Sequence, residues 1–257
     1  MTTSPAIEFR NVTMRYRLPD KRIPTLKEWA IQRLTAKLRY NDFLALQDVT
    51  FSADGGETLG IIGANGAGKS TLLRVAAGIL TPSTGEAVVR GRVAPIIELG
   101  TGFDPELSGR ENIFFNGALL GRSRAEMRRR FDEIVEFSAL ANFIDMPLRT
   151  YSTGMVARLA FSVATTVDAD IYLLDEVLSV GDESFGVRCQ ERIERFRSDG
   201  GTILLVSHNL PTVERLCRQA LWLHEGRVMA RGPASEVVGQ YQASAVSPSF
   251  AGRFGGG

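Results

Sequence analysis

The sequence predicts an α/β fold built around a phosphate-binding loop, and three observations carry that prediction. The stretch Gly63-Ala64-Asn65-Gly66-Ala67-Gly68-Lys69-Ser70 fits G-x-x-x-x-G-K-[ST]. It lies between a short apolar run, Leu59-Gly60-Ile61-Ile62, that reads as a buried strand and a segment, Thr71–Ala76, that reads as a helix. Two further apolar runs, Ile171–Leu174 and Thr202–Ser207, read as central strands of a parallel sheet, with helical segments between and after them.

Taken in chain order, Ile7–Tyr16 alternates apolar and polar residues (Ile7, Phe9, then Val12, Met14, Tyr16), which predicts a half-buried strand pair. Ala45–Ala53 and Glu57–Ile62 predict two more strands around the turn Asp54-Gly55-Gly56. Glu86–Arg90 and Val93–Leu99 add another two. From Pro105 to about Ala169 the pattern turns helical. Within it Arg122–Arg130 is a basic run, read as the solvated face of a helix that buries Phe131, Ile134 and Val135. Residues from Ser244 onward are rich in Ser, Pro and Gly and predict a disordered tail.

One segment interrupts this order. Residues 17–43 form an insert broken by Pro19 and Pro24, followed by a helical pattern over Leu26–Tyr40. Leu26, Trp29, Ala30, Leu34 and Leu38 recur at helical spacing beside Lys27, Arg33, Lys37 and Arg39. Such a stripe suits a helix at a membrane surface or against a membrane partner. It equally suits a helix packed on its own domain.

Bulk properties exclude several classes. At 257 residues the chain can bury a sizeable core, and 44% hydrophobic with 23% charged residues is ordinary for a globular protein. A net charge of +1 argues against nucleic-acid binding through a strong bulk field. The only cysteines, Cys189 and Cys217, are far apart and suggest a reducing compartment with no metal framework. No run approaches the length of a membrane span, and Met1–Arg10 lacks a signal-peptide core, so the expectation is a cytoplasmic chain.

The phosphate loop has clear chemistry. Backbone N–H groups must close on phosphate oxygens without a Cβ in the way, and the helix start adds partial positive charge. Lys69 supplies a point charge for β- and γ-phosphates, and the Ser70 hydroxyl is a Mg²⁺ ligand. About 100 residues on, a predicted strand ends in Asp175-Glu176, where Asp175 is placed to hold Mg²⁺ through water and Glu176 to act as general base on the attacking water. Two such acids are common on surfaces; their distance after a phosphate loop favours the functional role. His208 closes the next strand and is placed to contact the γ-phosphate, whereas a lone histidine would more often be a packed one. Ser152 and Gly154, before the helix Val156–Thr166, form either a second anion-binding helix start or a simple cap.

This order of elements resembles the ATPase subunit of an ABC transporter over about Ile7 to Arg231. Ser152-Thr153-Gly154-Met155 stands at the family's signature, followed in the family's order by Asp175-Glu176, Ser179-Val180-Gly181-Asp182 and His208. The resemblance implies an ABC-type phosphate-loop ATPase core with an antiparallel β subdomain. It places one ATPase domain at 1–243, the insert at 17–43, a helical subdomain at about 103–168 and a tail at 244–257. It implies a head-to-tail homodimer with ATP sandwiched between Gly63–Thr71 of one copy and Ser152 and Gly154 of the other, and counts Asp182 among the nucleotide-binding residues. Tyr16 then matches the aromatic that stacks on adenine, unless it is only a strand-face tyrosine. Glu98 stands where the family usually carries a glutamine near Mg²⁺.

The phrases Ile97–Asn112, Tyr151–Ala160 and Asp175–Phe185 are similar to one subgroup, the ATPases of exporters for O-antigen, capsular polysaccharide and teichoic acid. Their insert helix near the membrane gate favours the membrane-facing reading of Leu26–Tyr40. The resemblance further implies two copies of a polytopic membrane subunit that binds most of a lipid-linked glycan, a peripheral position on the cytoplasmic face of the membrane, no nucleic-acid partner, and a chain that stops short of the carbohydrate-binding extension some members carry. The alternative is a soluble ABC-type ATPase acting on nucleic acid or ribosomes, which the absence of a basic field and of a long coiled-coil insertion disfavours. A small-molecule kinase would have no need of Ser152–Met155 or His208.

Overall fold

The protein was analysed as a computed structural model that describes residues 4–19, 40–97, 99–175 and 182–246. The insert helix expected over Leu26–Tyr40, apart from Tyr40 itself, lies outside the described residues, as do Glu98, Glu176, Ser179, Val180, Gly181 and all but the start of the expected tail.

A three-stranded antiparallel sheet is built by β1 (Ile7–Pro19), β2 (Tyr40–Ala53) and β4 (Thr84–Val89), with β1 in the middle. Instead of the expected strand pair over Ile7–Tyr16, β1 is one strand with a bulge. Asn11 takes a left-handed φ of 48°, and the pairing with β2 shifts register between Phe9 and Val12. One inserted residue flips the parity of every later side chain. The change of phase in the sequence, from 7 and 9 to 12 and 14, is therefore what keeps all four residues in one core. Phe9 and Phe51 stack there at 4.7 Å among Ile7, Val12, Leu46 and Val49. The ladder also reaches into the expected insert, because Arg17 pairs with Asp42, Leu18 with Asn41 and Pro19 with Tyr40.

The second sheet has six strands in the order β5 (Val93–Ile96), β6 (Ile171–Asp175), β7 (Thr202–Val206), β3 (Thr58–Ile62), β8 (Gln219–His224) and β9 (Arg227–Pro233). All neighbours are parallel except β8 and β9. β3 and β7 are buried at every residue, as continuous apolar runs in a sheet covered on both faces should be. Alternate residues of β3 serve different cores: Leu59 and Ile61 face the antiparallel sheet and α1 (Lys69–Ala76), while Ile62 faces α5 (Glu183–Ser198), α6 (Leu210–Leu216) and α7 (Ala234–Val246). Gly60 permits this second contact, since a Cβ there would lie 2.7 Å from Val213 Cγ1. The hairpin β8–β9 and the reach of α7 to Val246 were not anticipated, because the first lies in a stretch read as helical and the second in one read as tail.

Helices α2 (Gly109–Leu119), α3 (Arg124–Ser138) and α4 (Thr153–Thr166) form a separate unit with its own core of Ile113, Met127, Ile134, Leu159 and Val163. Ser108–Glu111 and Ser123–Glu126 make complete capping boxes at α2 and α3. Asn112 is fully buried with its amide satisfied: Oδ1 accepts from Asp104 N–H, and Nδ2 donates to the carbonyls of Asp104, Leu107 and Ser108, which fastens the 104–108 loop to α2. Helix α4 belongs to two cores at once. Leu159 and Val163 pack within the helical unit, whereas Phe161 and Ala164 pack against the six-stranded sheet.

Candidate functional site

The C-terminal ends of β6, β7 and β3 lie side by side, with Asp175 paired to Val206 and Val206 to Ile61. This brings Asp175, the residues after β7 that include His208, and the loop after β3 to one edge of the sheet. Between them is a recess of about 540 Å³ walled by Phe43, Ala45, Asn65, Gly66, Gly68, Lys69, Ser70, Thr71 and Asp175. Most of the predicted phosphate site is thus gathered in one place.

The loop owes its shape to residues with no Cβ. Gly66 and Gly68 have φ of 77° and 104°, and a Cβ on Gly68 would run into the carbonyl oxygen of Ala45. A Cβ on Gly63 would strike the carbonyl oxygen of Leu223. The Lys69 side chain is buried and its Nζ donates to the carbonyls of Gly63 and Ala64 at 2.8 and 2.9 Å, which holds the ammonium over the loop. Ala64 also accepts from Ala67 N–H at 3.2 Å. Helices α2, α3, α4, α5 and α6 each have a side-chain cap, from Ser108, Ser123, Ser152, Asp182 and Asn209. Helix α1 has none: its first residues follow Gly68 directly. Its N–H groups and partial positive charge therefore open onto the recess, the arrangement an anion such as a phosphate completes. Glycines without room for a Cβ, a buried lysine and an uncapped helix together fit the polyphosphate of a nucleotide.

A buttress beneath the loop was missed in the sequence. The β8–β9 turn, Glu225-Gly226, has φ of 45° and 75°, and Gly226 N–H donates to the Ala67 carbonyl at 2.9 Å. Gln47 ties the same turn to β2, its N–H to the Gly226 carbonyl and its Nε2 to the Glu225 carbonyl, and Arg227 donates to Gln47 Oε1. The signal was present as His224-Glu225-Gly226-Arg227, a turn flanked by alternating residues.

Other predicted residues fall elsewhere. Tyr16 does not reach the recess wall; its cross-strand partner Phe43 does, and half of Phe43 is exposed. Phe43 lies on edge strand β2, which touches the loop through Ala45, while Tyr16 is one strand further away and packs on the antiparallel-sheet core. Ser152 and Gly154 are outside the recess. The Ser152 hydroxyl caps α4 by accepting from Met155 N–H at 3.2 Å, so its cap role is the one seen within a single copy. Asp182 accepts from Ser184 Oγ at 2.6 Å and Phe185 N–H at 2.9 Å, with Arg158 at 3.5 Å. Those hydrogen bonds, with Arg158 adding to them, hold its carboxyl below the usual carboxylate range. His208 is exposed just beyond β7. Among the described residues no cluster of three His, Cys, Asp or Glu side chains stands ready for a metal, and Ser70 and Asp175 are the groups in the recess suited to Mg²⁺. The two thiols are pushed up to about 12 by burial and take no part here.

Comparison with known proteins agrees with this geometry. The family model described as ABC transporter matches residues 46–179, slightly more than half of the chain. The chain belongs to the ABC transporter family. It is one of that family's ATP-hydrolysing subunits. It is 44% identical over 240 residues to the O-antigen export system ATP-binding protein RfbB of Klebsiella pneumoniae, covering 93% of this chain and 98% of that one. It is 48% identical to the Myxococcus xanthus protein of the same name over 221 residues, 85% of this chain and 51% of the relative. The teichoic acids export ATP-binding protein TagH of Bacillus cereus is 36% identical over 92% of this chain and 42% of its own length. Among solved structures, an ATP-binding subunit of an ABC transporter superposes with a TM-score of 0.70 at 25% identity, covering 95% of this chain and 97% of that one. A dimeric ATP-binding cassette bound to ADP and Pi has the same fold, with a TM-score of 0.70 at 20% identity over 89% of this chain and 98% of its own.

Proposed function

We propose that this ABC subunit drives export of a lipid-linked polysaccharide across the cytoplasmic membrane, docked peripherally on the cytoplasmic side of a polytopic membrane subunit. The observation that carries the reading is 44% identity across nearly the full length of an O-antigen export ATPase. Among the described residues no helix is long and apolar enough to cross a membrane, so transport would need a partner that does.

ATP enters the recess with its phosphates on the N–H groups of Gly66–Thr71 and on the Lys69 ammonium. Ser70 and Asp175 would hold Mg²⁺, whose charge offsets that of the phosphates. Phe43, and Tyr16 behind it, offer aromatic surface to the adenine. Glu176 serves as general base, and His208 contacts the γ-phosphate from the neighbouring strand. A second copy brings Ser152, Gly154 and Asp182 against this ATP. ATP then favours the closed pair because it adds contacts only there, and loss of the γ-phosphate releases them. Two such copies would work with two membrane subunits, which contact Glu98 and the Pro105–Asn112 region and bind most of the glycan.

The deciding experiment is affinity capture from detergent-solubilised membranes. One stoichiometric polytopic membrane protein is expected. Ribosomes or nucleic acid in its place would overturn the exporter reading while leaving the ATPase intact. For the chemistry, Glu176→Gln should retain ATP binding, stop turnover and trap a dimer; undiminished turnover would remove Glu176 as the base.

A further inference from the structure

A second recess, of about 710 Å³, opens at the opposite end of β3 from the phosphate loop. Its walls come from the 54–58 turn, the end of α5, the stretch from Arg215 to Gln219 and strand β9. Four arginines face it: Arg197, Arg215, Arg218 and Arg231. Among the described residues Arg215 is the one of the four with an ion pair, to Glu194 at 2.9 Å. Arg197 and Arg231 donate to the carbonyls of Leu216 and Ser52 and form no ion pair among the described residues. Arg197 also covers the last carbonyl of α6, which removes much of the negative end of that helix from the recess. The Arg218 guanidinium makes no hydrogen bond or ion pair with another described residue, and each arginine has up to five donors to offer.

One feature narrows the ligand. The recess also carries the carboxylates of Asp54 and Glu57. Glu57 is partly used, accepting from Asp54 N–H at 2.9 Å. Arginines that grip an oxyanion beside carboxylates that accept from hydroxyls suit a ligand with both kinds of group.

We propose that this recess binds a phosphorylated, hydroxyl-bearing small molecule, such as a sugar phosphate, with its phosphate on Arg218, Arg231 and Arg197 and its hydroxyls on Asp54. The site is separated from the ATP recess by the full length of β3, so its occupant would act as an effector and not as the substrate.

Calorimetric titration of the full chain with glucose 1-phosphate and with inorganic phosphate tests this. Glucose 1-phosphate should bind more tightly than phosphate, and less tightly as salt is raised. Arg218→Ala should weaken it about tenfold, the loss of one charge-assisted contact. Arg218→Glu should abolish binding, and Asp54→Ala should bring glucose 1-phosphate down to the affinity of phosphate. Lys69→Ala, which disables the phosphate loop, should change nothing here. No binding of either probe, binding indifferent to Arg218, or binding lost in Lys69→Ala would overturn the site. Equal affinities of the two probes in the unaltered protein would overturn the role given to Asp54. Because Arg218 bonds to no other described side chain, its variants should keep the melting temperature of the parent, and Arg218→Lys should restore part of the binding.

Discussion

Two glycines of one loop separate the cost of backbone strain from the cost of collision. Gly66 and Gly68 both hold left-handed φ, at 77° and 104°. An alanine at either position pays the left-handed penalty of about 1–2 kcal/mol. At Gly66 the new methyl group meets nothing within 4 Å. At Gly68 it meets the Ala45 carbonyl oxygen, with Leu46 Cδ2 at 3.1 Å and Leu223 Cδ2 at 3.2 Å. Backbone cannot step aside as a flexible side chain can, so overpacking adds about 1–3 kcal/mol. Gly66→Ala should therefore lose about 1–2 kcal/mol and Gly68→Ala about 2–5 kcal/mol. At about 2–4 °C per kcal/mol for a chain of this size, nucleotide-free thermal unfolding should resolve the two. Equilibrium dialysis with ATP should show the same order, since moving Ala45 displaces the wall carrying Phe43. Equal melting temperatures would refute the collision account. A Gly66→Ala protein less stable than Gly68→Ala would refute the loop geometry itself.

Phe43→Ala should weaken ATP binding by about 1–3 kcal/mol, the worth of one stacked base, and by more than Tyr16→Ala does; fluorescent-nucleotide titration of both variants checks the order. Ser152→Ala removes the cap of α4 and should lower stability of the single chain by about 0.5–2 kcal/mol, measured by urea unfolding without nucleotide. The same variant should also slow turnover if Ser152 serves ATP on a second copy, whereas a cap-only role predicts unchanged ATPase activity once the chain is folded. Asp182 has a folded-state pKa below its unfolded value, so its contribution is present above the unfolded value and fades as pH falls through the folded one. Acid unfolding of Asp182→Asn should accordingly show a shallower loss of stability on that limb than the parent; an identical profile would mean that the hydrogen bonds to Ser184 and Phe185 contribute nothing.

The sequence was most readable where local chemistry dictates the backbone. The phosphate loop needs its glycines and lysine in order, and β3, β6 and β7 are apolar runs whose residues have no other place to go. It was least readable where one residue changes phase or a long-range partner decides. Asn11 shifts the parity of β1 without any Gly or Pro to mark it. The strands β8 and β9 owe their place to β3 and to the loop above them, which local pattern does not register. Phe43 was passed over because it fell within residues assigned to the insert, while Tyr16 stood in a clear alternation. Only the ladder that pairs the two, with the recess beside it, reveals which of them lines that recess.

Helix α4 divides its faces between the helical unit and the six-stranded sheet, and α3 joins it there through Phe137 alone. At 14 residues it is about 21 Å long, with Ser152 at its free tip and Thr166 at its rooted end. It thus carries most of the connection between the two bodies. A tilt of about 10° about the rooted end would carry the tip by about 4 Å, longer than a hydrogen bond. Swings of that size would be enough to engage or withdraw the Ser152 hydroxyl from anything bound across from it.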